Sequence, residues 1–190
     1  YDSSTAKSWW AYQPVSKPVI LQPKDSTWAK TDIDRFILAK LEEKNLKPVA
    51  DADAATLTRR LYLDLTGLPP PPGATADIDK LLDSRQFAER WARHWMDVVR
   101  YADTAGDNAD YPVPEARYYR DYLIDSFNAD KPFDRFIREQ IAGDLLPSAN
   151  HEERRRQVTA TGFLALGPTN YEEQNKDQLR MDIVDEQLDT

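Results

Sequence analysis

From Ser26 onward, apolar side chains recur every three or four positions, and Pro, Gly, Asn and Asp break that recurrence at short intervals. A period near 3.6 is that of one helix face, and no stretch shows the alternation of a half-buried strand. Thr31 is placed to cap a helix whose stripe is Ile33, Phe36, Ile37, Leu38 and Leu41, closed by Pro48. Asp51 or Asp53 caps the next, with Leu57, Leu61 and Leu65 on its stripe and Gly67 and Pro69–Pro72 at its end. Thr75 opens a short helix carrying Ile78, Leu81 and Leu82. Ser84 caps a stronger one in which Phe87, Trp91, Trp95 and Val98 repeat, with Met96 and Val99 alongside. Past an Asp-rich loop, Pro114 precedes a helix with Tyr119, Leu123 and Phe127. Asp130 and Pro132 start another, with Phe133, Phe136, Ile137, Gln140 and Ile141. Asn150 with Glu153, and Asn170 with Glu173, have the spacing of capping boxes ahead of two further helices.

The expected fold class is all-α: about eight short to medium helices in one irregular bundle over residues 27–190. An extended arm, residues 1–26, precedes it. Trp9, Trp10 and Tyr12 stand there among Pro14, Pro18 and Pro23, without helical period. Such an arm either straps across its own domain or binds a partner. The tetrapeptide Asp-Arg-Phe-Ile at 34–37 and 134–137 reads as two amphipathic helices using similar residues, not as a repeat array.

Charge and composition exclude several functions. With Lys+Arg 25 against Asp+Glu 33, the net charge of -8 disfavours nucleic acid and anionic membranes as partners. The absence of Cys excludes disulfides, thiolate catalysis, Cys-based zinc sites and covalent haem attachment within this chain. The six glycines have no phosphate-cradling spacing, and no apolar run is long enough for membrane insertion.

Three constellations can carry chemistry. Asp103, Asp107 and Asp110, with Asn108 and Gly106, put oxygen ligands within eight residues, as calcium requires. Asx turns after a helix end explain the same residues. His94 lies beside Trp91 and Trp95, with Asp97 at i+3 to orient its imidazole for acid–base work. A partly buried histidine bonded to a carboxylate for packing is the favoured reading of the same residues. Tyr111, Arg117, Tyr118, Tyr119, Arg120, Asp121 and Tyr122 offer aromatic and bidentate contacts to a sugar or carboxylate, or a tyrosine-packed helix. The candidate catalytic residues are therefore His94, Asp97 and Asp103. Trp91, Trp95, Tyr101 and Arg120 are the candidates for binding substrate, and Asp103, Asp107 and Asp110 for binding metal.

Several longer strings carry a resemblance: RLYLDLTGLPP at 60–70, ERWARHWMD at 89–97, RYAD at 100–103, FNADKPFD at 127–134, EQIAGDLLP at 139–147, ATGF at 160–163 and DEQLDT at 185–190. From about Thr27 to Thr190 the chain resembles the planctomycete-type, cytochrome-associated domain of unknown function. Its Pro70–Leu82 stretch is shorter than the family pattern. The resemblance implies a large exported parent protein, secreted or periplasmic. It also implies a downstream domain as partner and a C-x-x-C-H motif for haem c just after the DEQLDT string, where this chain stops. Three functions follow as expectations. One is electron transfer or carbohydrate-linked oxidation in a haem-associated protein. Another is a non-catalytic scaffold that binds glycan or protein. The third is hydrolysis by the loop aspartates with His94. The list of site residues depends on whether His94, Trp95, Asp103 and Arg120 converge on one cleft.

Overall fold

Local hydrogen bonds fix the helix starts. In the computed structural model, which describes residues 7–25, 27–106, 110–167, 170 and 172–189, the Thr31 hydroxyl accepts the Asp34 amide. The Asp34 carboxylate accepts the Thr31 amide in return, which completes a capping box for α1 (Asp32–Glu43). Asp53 accepts the Thr56 amide and opens α2 (Ala54–Thr66). The next elements are α3 (Ile78–Leu82), α4 (Arg85–Val98), α5 (Ala116–Asn128), α6 (Phe133–Ala142), α7 (His151–Ala160) and α8 (Lys176–Asp189). Short 3-10 turns lie at Trp10–Tyr12, Gly143–Leu145 and Thr161–Ala165. Among the described residues the fold is all-α. The extended pairing among those residues is an isolated bridge between Thr104 and Pro112.

Two expected starts move. Asp77, not Thr75, caps α3 by accepting the Lys80 amide. Asn170 folds a local turn instead of opening a helix, and Asn175 accepts the Asp177 and Gln178 amides at the head of α8. In each case several cap-competent residues stand close together, and the last one before the helix takes the role.

The chain divides into two compact units, Tyr1–Ala52 and Asp53–Thr190. In the first, the Glu42 carboxylate on α1 accepts the amides of Lys24 and Asp25, tying the extended segment to the helix. The second unit holds the main core. Ala92, Met96 and Val99 of α4 and its exit pack with Tyr119, Tyr122 and Leu123 of α5, Phe136 of α6 and Ala160 of α7. Gly67 ends α2 in the left-handed region at φ 72°, where a side chain is strained. A Cβ there would also stand 3.0 Å from Cδ of Arg90.

The buried face of α4 corrects the expected stripe. Ala88, Ala92 and Met96 face inward, whereas Trp91 is 40% exposed and Val98 76% exposed. A shift of one residue turns a helix face by about 100°. The small alanines are what allow α4 and α5 to approach closely.

Candidate functional site

Helix α4 separates the candidate residues instead of gathering them. His94 is exposed and meets the edge of the Trp91 ring, with centroids 5.5 Å apart. Asp97 does not orient it: the Asp97 carboxylate pairs with Arg93 at 2.9 Å, one turn earlier on the same face. Among the described residues no carboxylate hydrogen-bonds His94. Trp95 points the other way. Its Nε1 donates to Tyr119 Oη at 3.2 Å and to Gln140 Oε1 at 3.1 Å, and its ring lies edge-on to Phe136 at 4.9 Å. It is a packing residue of the core rim.

A second group does come together. The Tyr101 hydroxyl donates to Asp103 Oδ1 at 2.5 Å, and its ring stacks on Tyr119 with centroids 6.3 Å apart. Burial pushes the Tyr101 phenol up, the bond to Asp103 adds to this, and the nearby Arg120 charge opposes it. Arg120 itself reaches Asp121 at 3.3 Å. Tyr101 and Asp103 are therefore joined directly, with the Arg120 charge acting on Tyr101, while the Asp97 carboxylate is engaged with Arg93.

The Asp-rich loop is closed by its own backbone. Ala105 donates to the Tyr111 carbonyl and Val113 to that of Asp103, each at 2.8 Å. Asp110 Oδ1 accepts the Gly106 amide at 3.1 Å, an Asx-type closure. Asp107 and Asn108 lie outside the described residues. Among those that are described, no three His, Cys, Asp or Glu side chains gather with metal-binding geometry.

Beside this loop lies a cleft of about 500 Å³, between residues 102–105, the start of α5, and the α7 end with the turn that follows. Its lining mixes small residues with Thr104, Tyr118, Thr159, Thr161 and Glu115 and with the apolar Val113, Val158 and Leu166. Tyr118 is 50% exposed, and the Arg117 guanidinium sits 4.9 Å from its ring centroid.

A buried and heavily bonded carboxylate escapes sequence reasoning. Glu139 on α6 is 2% exposed and holds three partners: the Lys131 ammonium, Arg135 Nε at 2.8 Å and the Tyr122 hydroxyl at 3.0 Å. Arg135 continues to Glu153 at 2.8 Å. Burial pushes the Glu139 carboxyl up, but the Lys131 and Arg135 hydrogen bonds and charges outweigh that and hold it below the usual range. Burial, reinforced by the Glu139 charge, pushes the Tyr122 phenol up. Next to it, Trp95, Tyr119 and Gln140 close a second buried network, in which Tyr119 Oη donates to Gln140 Oε1 at 2.6 Å. In sequence the only trace of the first network is the Arg135–Glu139 spacing of four.

The model of a protein family of unknown function, PSCyt2 (DUF1549), matches residues 32–190. The chain belongs to the PSCyt2 family. The PSCyt2 match begins at α1 and runs through every helix, so it takes in Tyr101, Asp103 and Arg120, the cleft and both buried networks. No curated protein and no solved structure matches the chain.

Proposed function

We propose that this domain is a non-catalytic binding domain of a longer exported protein, and that its ligand is a glycan seated in the cleft beside Tyr118. The observation that carries this reading is the cleft lining. Thr104, Thr159, Thr161 and Glu115 line it together with the apolar Val113, Val158 and Leu166 and several small residues, and the half-exposed Tyr118 stands among them. A sugar matches such a surface with many hydroxyls and one apolar ring face. The candidate acids and bases support the non-catalytic part. Asp97 is committed to Arg93, Asp103 accepts the Tyr101 hydroxyl, and no carboxylate hydrogen-bonds His94 among the described residues. Calorimetric titration with an oligosaccharide panel, run beside a turnover assay, tests the reading. Saturable binding without turnover is expected, and Tyr118→Ala should weaken it about tenfold or more. No bound sugar at millimolar concentration, or a processed one, overturns it.

Electron transfer is the second reading, favoured by a file of stacked rings. Tyr101, Tyr119, Tyr122 and Phe136 follow one another at centroid spacings of 6.3, 6.2 and 6.2 Å, and the Trp95 N–H bonds to Tyr119. Tyr101 can pass its proton to Asp103 when it loses an electron. With no Cys in this chain, any covalently held haem of the parent is attached by residues outside it. One-electron oxidation by a ruthenium(III) photo-oxidant, followed by electron paramagnetic resonance, should give a tyrosyl signal that Tyr101→Phe diminishes. An unchanged signal removes this reading.

A further inference from the structure

Two stretches of the chain hold apolar side chains open to solvent, and they are of opposite charge. The first is the arm. Trp10, Tyr12, Val15 and Val19 are exposed, Trp10 to 77%. Residues 7–24 include Lys7, Lys17 and Lys24 and no Asp or Glu, so the net charge of -8 arises outside the arm. Residues 14–23 form no backbone hydrogen bond with any described residue. The base of the arm is held, because Glu42 accepts the Lys24 and Asp25 amides. Pro14, Pro18 and Pro23 already restrict the chain between, so little further freedom is lost on docking.

The second is α8, none of whose 14 residues is buried. Met181, Val184 and Leu188 are exposed, Leu188 to 82%, and spacings of three and four put them on one helix face. Glu186 stands on the opposite face, where it closes on Gly167 and reaches Arg100 at 3.7 Å. The Met181–Val184–Leu188 face therefore turns away from those contacts. The helix carries Asp177, Asp182, Asp185, Glu186 and Asp189 against Lys176 and Arg180. Asp185 lies one turn beyond Met181 on the same face. It makes no ion pair with any described residue, and neither does Lys17 of the arm. A helix of this length is marginal in water without a packed apolar face.

We propose that these surfaces cover each other between two copies of this chain, the arm of one lying on the Met181–Val184–Leu188 face of the other. Charge selects the occupant. A basic segment rich in Trp, Tyr and Val complements an acidic helix with an apolar seam, and complementary potentials steer such surfaces together. Each copy supplies one arm and one such face, so reciprocal exchange closes a two-fold dimer in which the contact is made twice.

Sedimentation velocity on the full chain, from about 1 to about 200 μM, should show monomers giving way to dimers with a Kd in the micromolar range. Trp10→Ser and Leu188→Ser should each weaken the dimer about tenfold or more. Lys17→Glu and Asp185→Lys should each weaken it about threefold, and the two together should recover most of that loss. Far-UV circular dichroism checks that each variant keeps its helices. Should Leu188→Ser melt α8, the charge reversals decide alone. The proposal is overturned by a monomer throughout the range, by a dimer that Trp10→Ser or a folded Leu188→Ser leaves unchanged, or by charge reversals whose effects simply add.

Discussion

Gly143→Ala is expected to destabilise the helical unit by about 3 kcal/mol or more, which for a chain of this size lowers Tm by roughly 6–12 °C. The backbone does not forbid alanine, since Gly143 sits at φ -60°, ψ -32°. The obstacle is the neighbouring chain. A Cβ built on Gly143 would lie 2.1 Å from the Gln157 carbonyl oxygen and 2.8 Å from its carbonyl carbon. Both are backbone atoms of α7, so no side chain can swing aside. Relief requires α7 to move by about 1 Å, in an interior packed to crystal density. That movement also strains the bond from Gln157 Nε2 to the Pro147 carbonyl, now 3.0 Å, and that from Arg154 to the Asp144 carbonyl. Urea and thermal unfolding measure the effect. A Tm within 2 °C of wild type would show that this close approach does not hold α6 and α7 together.

Glu139→Gln should destabilise the fold by about 3 kcal/mol, because it leaves the Lys131 and Arg135 charges facing an amide in a buried setting. The Lys131 side chain is itself largely buried, so its charge is the less easily solvated of the two. Replacing both partners at once, Lys131→Met with Glu139→Leu, should cost less than Glu139→Gln alone, since no charge is then left buried without its partner. The same carboxylate sets a pH dependence. Its folded pKa is held below the ordinary value near 4.3, so the unfolded state binds the proton more readily. Its contribution is therefore fully present above about pH 4.3 and is lost as pH falls through the folded value. Urea midpoints measured from pH 7 downward should fall more steeply in the wild type than in Glu139→Gln in that acid window. Parallel curves would remove Glu139 as the source.

The caps were legible because they are local. Thr31, Asp53, Ser84 and Asn150 each bond an amide three residues on, and Gly67 takes the left-handed turn that its lack of a Cβ permits. Thr75 and Asn170 misled because Asp77 and Asn175 have the same chemistry two and five residues later. The surroundings of the candidate residues depend on contacts that spacing does not show. Tyr101 meets Asp103 because the two are two residues apart where the chain turns from α4 into the loop that bridges Thr104 to Pro112. Trp95 could not be told from a surface tryptophan by spacing. Its role depends on Gln140, 45 residues away in sequence. Asp97 had two partners within reach on its own helix, and the one at i−4, Arg93, took it.

By itself the sequence determined that this chain forms helices, where most of them start and stop, and that its exterior is acidic. Those properties follow from side-chain to backbone bonds over three or four residues and from the sum of charges. Which face of each helix turns inward was decided by the tertiary structure. So was the meeting of Glu139 with Lys131, Arg135 and Tyr122. Helical periodicity leaves rotation about the axis open to a single-residue shift. What selects the rotation is the shape and size of the neighbouring helix, which in α4 favoured alanines over tryptophan.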